Sequence, residues 1–218
     1  MADTTATPSQ ATGTILVSGT GRVAVAPDVA DLRLGVALTR PTVDSARAEA
    51  ATTMDAILAA VDAAGVARRD VRTTLLSVQP RYDYRDDRPP ILTGYELANV
   101  VDVTVRDLAR LGDVIDGTLA AGATSMDGLA FRLADPGAAE REARVLAMAQ
   151  ARARADVLAE AAGLTIVGVS DVVEGAAARP PMPFAKAERM MLAADASTPV
   201  EAGSTEVAVS VSVTFRAQ

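Results

Sequence analysis

The sequence predicts an α+β fold, and three observations carry that reading. Period-two alternation of apolar and polar residues appears near both ends of the chain and in its middle. Three stretches with i, i+3, i+4 spacing lie between those runs, and the connections mix hairpin-like breaks with helical crossovers. The predicted order is ββαββαβαββ, largely antiparallel sheets with three helices packed on them. A length of 218 residues suits one large domain or two small ones packed intimately.

Residues 1–13 read as a disordered tail of Thr, Ala, Ser, Pro and Gln, ahead of a domain spanning 14–216. Ile15 to Val17 form a short strand that halts at Gly19-Thr20-Gly21, read as a glycine turn or bulge. Val23 and Val25 resume the alternation up to Pro27, and Leu32, Leu34, Val36 and Leu38 carry the second strand. The period then changes: Thr42 caps a helix with Asp44 in its first turn, a Met54, Ile57, Leu58 and Val61 face, and Gly65 past its end. Residues 71–84 form a strand, 85–90 a charged turn with two prolines, and the return strand places Tyr95, Leu97, Asn99, Val101, Val103 and Val105 on one face. A second helix starts at the Asp107 cap, lines up Leu108, Leu111, Ile115 and Leu119, and closes at Gly122. Leu129, Phe131 and Leu133 alternate in a short strand. Asp135 as N-cap and Pro136 at the first helical position open a third helix ending before Gly163. Within it Ala143, Ala147, Ala151 and Ala155 make a smooth stripe that lets another backbone approach, and Glu140 and Arg144 form an i, i+4 pair. Residues 164–174 are the next strand. The last carries Val207, Val209, Val211, Val213 and Phe215 on one side.

Composition excludes much chemistry. The chain has no histidine and no cysteine, so imidazole bases, thiol nucleophiles and zinc or haem sites of the usual kind are absent. A net charge of −7 with 3% aromatic residues argues against nucleic acid as a partner. Gly19-Thr-Gly21-Arg-Val-Ala24 fits a dinucleotide-binding pattern, but the next residues are strand-like and end in proline, and do not form the helix whose N-terminus must face a pyrophosphate. Asp83, Asp86 and Asp87 cluster at the hairpin tip among Arg81, Arg85 and Arg88; a solvated turn is the preferred reading and a weak divalent-ion site the alternative. Lys186 is the sole lysine and sits in an irregular stretch, a poor base for a Ser–Lys dyad. No catalytic, cofactor-binding or metal-binding residue is assigned, and no small-molecule ligand is identifiable.

Residues 176–199 break every pattern. Within that stretch, three prolines, three methionines and Phe184 at 180–192 form either an interaction surface or a lid on the core. The candidate self-association residues are Met182, Phe184, Met190, Met191 and Leu192, with Tyr82, Tyr84 and Tyr95 on the long hairpin as a second contact surface. No apolar run reaches the roughly 20 residues that span a bilayer. The first 13 residues lack a basic start and an apolar core, so the chain reads as cytoplasmic; a periplasmic or secreted protein with its leader removed is the alternative.

Several stretches resemble one known family. Val17-Ser-Gly-Thr-Gly-Arg-Val-Ala-Val-Ala-Pro-Asp28 is similar to the entry motif of the SIMPL-domain family. Leu76-Ser-Val-Gln-Pro-Arg-Tyr82, Thr93-Gly-Tyr-Glu-Leu-Ala-Asn99 and Val103-Thr-Val-Arg-Asp-Leu108 resemble its central signature, and Asp135-Pro136, the Ala/Arg-rich helix to Gly163 and Thr198-Pro-Val-Glu-Ala-Gly203 continue the likeness. The resemblance implies a bacterial protein, usually exported and often antigenic, linked to oxidative-stress protection and in some relatives assembled into large ring- or channel-like homo-oligomers. It brings no catalytic residues. The expectation is therefore a non-enzymatic, self-assembling protein; a monomeric partner-binding module, or a carboxylate-dependent divalent-ion binder or hydrolase, are the alternatives.

Overall fold

Alternation over a long run of branched residues makes strands, and a computed structural model shows eight of them with three helices among the residues it describes. It describes residues 13–84, 89–175, 183–184 and 198–218. The strands are β1 (Gly13–Val25), β2 (Val29–Arg40), β3 (Val71–Asp83), β4 (Ile91–Val105), β5 (Ser125–Arg132), β6 (Ile166–Glu174), β7 (Pro183–Phe184) and β8 (Ser204–Ala217); the helices are α1 (Val43–Ala63), α2 (Leu111–Ala120) and α3 (Gly137–Ala161). Apart from the two-residue β7, this is the predicted order, and every strand pairing is antiparallel.

The elements sort into two compact units. One holds β2 to β5 with α1 and α2, its strands ordered β3-β4-β2-β5. Its core joins Leu32, Leu34 and Val36 of β2 and Val101 and Val103 of β4 to Met54, Ile57 and Val61 of α1 and Val114 of α2. Thr42 caps α1 as predicted, its hydroxyl accepting from the Ser45 N–H at 3.2 Å. Each helix stops two residues before its predicted glycine, and at Gly65 a φ of +85° makes that residue the natural stop. Asp107 caps a short 3₁₀ turn, residues 108–110, that leads into α2. Leu119 is half exposed, contrary to its predicted place on the buried face; Val114 and Thr118 take that role instead.

The other unit holds β1, β6, β7, β8 and α3, its sheet ordered β1-β8-β6 with β7 also on β8. The five alternating side chains of β8, Val207 to Phe215, are buried as predicted. Pro136, not Asp135, is the N-cap of α3, and the Asp135 carboxylate accepts from the Gly137 N–H at 2.8 Å. The predicted glycine turn does not exist. β1 runs unbroken through Gly19-Thr20-Gly21, paired residue for residue with β8. What needs glycine is the helix behind it. A Cβ on Gly19 would drive into the carbonyl oxygen of Ala147 and come within 2.7 Å of the Ala151 nitrogen, and a Cβ on Gly21 would strike the carbonyl of Ala143. The alanine stripe does admit another backbone, and that backbone is β1.

Two measurements check this architecture. Gly21→Ala forces strand and helix apart along two backbones that cannot yield, at a cost of about 3 kcal/mol or more; thermal unfolding should show a clearly lowered midpoint, and an unchanged midpoint would refute the close contact. The second concerns pH. Hydrogen bonds from Arg132 to Asp31, from Arg106 to Asp70 and from Thr198 to Asp116 hold these carboxyls below their ordinary value of 3.8. A depressed carboxyl adds stability that is complete above its unfolded value and is lost as pH falls through its folded one. Unfolding temperature should therefore be flat down to about pH 5 and drop below about pH 4. Asp31→Asn should shrink that drop; an identical acid limb in the variant would contradict the assignment.

Candidate functional site

A hairpin longer than the sheet that supports it must end as a free ribbon. β2 stops at Arg40, which pairs with Tyr95 of β4, whereas β3 and β4 continue to the Asp83–Ile91 pair. Among the described residues the pairs Arg81–Gly94, Tyr82–Leu92 and Asp83–Ile91 thus have no third strand beside them, and β3 pairs with β4 alone along its whole length. Two-stranded ribbons are marginal by themselves in water. This one is braced by an Arg81–Glu96 ion pair across the strands and by the Thr93 hydroxyl, which donates to the Arg81 carbonyl at 3.0 Å. Gly94 keeps its base closed: a Cβ there would come within 2.7 Å of the Arg40 carbonyl oxygen.

The ribbon and the stretch of β3 that leads into it, where β2 still runs on the far side of β4, present an uncovered apolar face. Leu76, Val78, Pro80 and Tyr82 alternate along β3 and so share one face, the face that α1 covers further down. Leu76 is 69% exposed, and Val78, Tyr82, Ile91 and Leu92 are each exposed by two fifths or more. The rings of Tyr82 and Tyr84 lie 6.3 Å apart at 56°, a tilted pair at the outer end. Opposite Leu76, the side-chain oxygen of Asn99 is buried and finds no hydrogen-bond donor among the described residues. An orphan acceptor costs about 1–3 kcal/mol, so stability alone does not account for this stretch.

Of the predicted contact residues, Tyr82 and Tyr84 stand on this surface, while Tyr95 is half-buried at the ribbon's base. Met182, Met190, Met191 and Leu192 lie outside the described residues, as do Asp86, Asp87 and Lys186; of Phe184 only the backbone is described, paired with Ser204. Sequence reasoning missed Leu76, Val78, Ile91 and Leu92. The signal was there in the alternation Leu76-Val78-Pro80-Tyr82, which continues past the point where β2 has ended. Among the described residues no three acidic side chains converge to hold a metal ion, and no helix is long and apolar enough to cross a membrane.

Comparison with known proteins places the chain. The model of SIMPL, a protein family of unknown function (DUF541), matches residues 15–215. The chain is similar to the 26 kDa periplasmic immunogenic protein of Brucella melitensis, with 36% identity over 92% of this chain and 83% of the relative. The protein of the same description in Brucella abortus shows the same identity and coverage. Similarity to the uncharacterized protein YggE of Escherichia coli K12 is 32% over 66% of this chain and 58% of that protein. The match runs from β1 through β8 and takes in both sheets, and the chain belongs to the SIMPL family.

Proposed function

We propose that this SIMPL protein is a non-enzymatic, self-assembling protein of the periplasm, and that copies join through the β3–β4 ribbon into a ring-, channel- or cage-like homo-oligomer. The observation that carries the reading is the exposed apolar face of β3, Leu76, Val78 and Tyr82, which runs from the sheet edge onto the two-stranded ribbon. Such a face is costly on an isolated monomer and is buried when a second copy lies against it. The free edge of β3 adds unpaired backbone groups suited to strand addition. The lack of histidine and cysteine supports the absence of catalysis, since the common bases and nucleophiles of neutral-pH enzymes are missing. The compartment rests on the two Brucella relatives, both described as periplasmic.

The ribbon reading predicts a specific failure. Replacing Leu76 and Val78 together by glutamate puts two charges on the apolar face without touching the buried core. Sedimentation velocity should show the assembly falling to monomers or small oligomers, with the circular dichroism spectrum unchanged. An assembly of undiminished size in a folded double variant would remove the ribbon from the interface.

A further inference from the structure

The face of the β3-β4-β2-β5 sheet opposite its helices carries charges, and they surround a cleft of about 600 Å³. The cleft exists because β5 is bare there. Gly128 and Ala130 stand opposite Arg33 and Asp31 in register, and a Cβ on Gly128 would meet nothing within 4 Å. Guanidiniums rim the space. Asp102 accepts from Arg33 Nε at 3.0 Å and also from Arg72 Nη2 at 3.5 Å. Asp70 is held by both forks of Arg106, and Arg69 Nε reaches it only at 3.8 Å. Two carboxylates are therefore each shared by two arginines; with the Arg132–Asp31 pair and Asp127, which accepts from the Ser125 hydroxyl, five arginines, Arg106 behind Asp70 included, face four aspartates around the cleft.

Arg69 and Arg72 are the outlying members. Their side chains are 81% and 79% exposed, and each is kept in place by one long contact to a carboxylate that already has a better partner. Exposed ion pairs of that kind contribute little, so either arginine can change partner at small cost. A planar guanidinium offers a two-pronged donor set matched to phosphate and carboxylate oxygens. We propose that this cleft is an oxyanion site: Arg69 and Arg72 close on the phosphate or carboxylate group of a small molecule, Arg33 stays fixed on Asp102 beside it, and the floor at Gly128 and Ala130 admits the body of the ligand. The site is separate from the exposed ribbon and stands or falls independently of assembly.

The experiment is calorimetric titration of the full chain with inorganic phosphate and, separately, with malonate, each against sodium chloride of matched ionic strength. Saturable binding of one anion per chain is expected for at least one of the two, and which one binds separates a phosphoryl from a carboxylate ligand. Arg69→Ala with Arg72→Ala should weaken it about tenfold or more. Ala130→Gln, which keeps every arginine but fills the floor, should weaken it as well and tests the site even if the double variant folds poorly. Heats no greater than those of chloride for both anions, or binding unchanged in the variants, would overturn the proposal.

Discussion

The contact between α3 and β1 is the constraint on which the alanine-rich unit depends. Two residues of strand advance about 6.6 Å and four residues of helix about 6.0 Å, so a strand and an antiparallel helix can stay in step over several contacts. Gly19 against Ala147 and Gly21 against Ala143 are two such steps. The pitch match recurs at the strand's free edge, where the Gln150 side chain accepts from the Thr20 N–H at 2.8 Å and Arg154 donates to the Ser18 carbonyl at 2.7 Å. Two side chains one helical turn apart thus satisfy two backbone groups two residues apart. That seals β1 against strand addition. The core this builds is made of small side chains: Ala143, Ala147, Ala151 and Ala155 are fully buried beneath Val209, Val211, Val213 and Phe215. Its cohesion comes from backbone proximity more than from side-chain bulk, so the glycines cannot be exchanged even for alanine.

The other unit solves the same problem in the ordinary way, with branched side chains from β2, β4, α1 and α2 filling the space between helices and sheet. Its irregularities lie elsewhere. The opposite sheet face is a network of arginine and aspartate, and the β3–β4 ribbon outruns the strand that would have supported it. The segment after residue 197 is tied back to α2 where Asp116 accepts from both the N–H and the hydroxyl of Thr198. A sealed edge in one unit and an exposed apolar ribbon in the other are opposite treatments of sheet margins, and the contrast makes the ribbon a feature to be explained by function.

Much of this was legible from residues alone, and the failures have physical reasons. Alternation and helical spacing found every long element, because one buried face per element leaves a periodic trace. Glycine misled: Gly-Thr-Gly has the local signature of a turn, and only the helix packed behind it distinguishes a turn from a close approach. Leu119 obeyed the helical spacing but lies at the end of a short helix, where coverage runs out. At the candidate site the tyrosines were visible as exposed aromatics. Leu76 and Val78 carried no such mark, since whether an alternating face is covered depends on how far the helix packed on it reaches, and α1 packs on β2 and β4. The arginine cleft left no local trace, because its members come from β2, β3, β5 and two short connections that meet only in three dimensions.

Whether the exposed ribbon joins copies of this chain is read from the protein's mass in solution. Light scattering on a size-exclusion column should return one homogeneous species at a large multiple of 22.4 kDa. A clean monomer at 22.4 kDa across the accessible concentration range would contradict such joining.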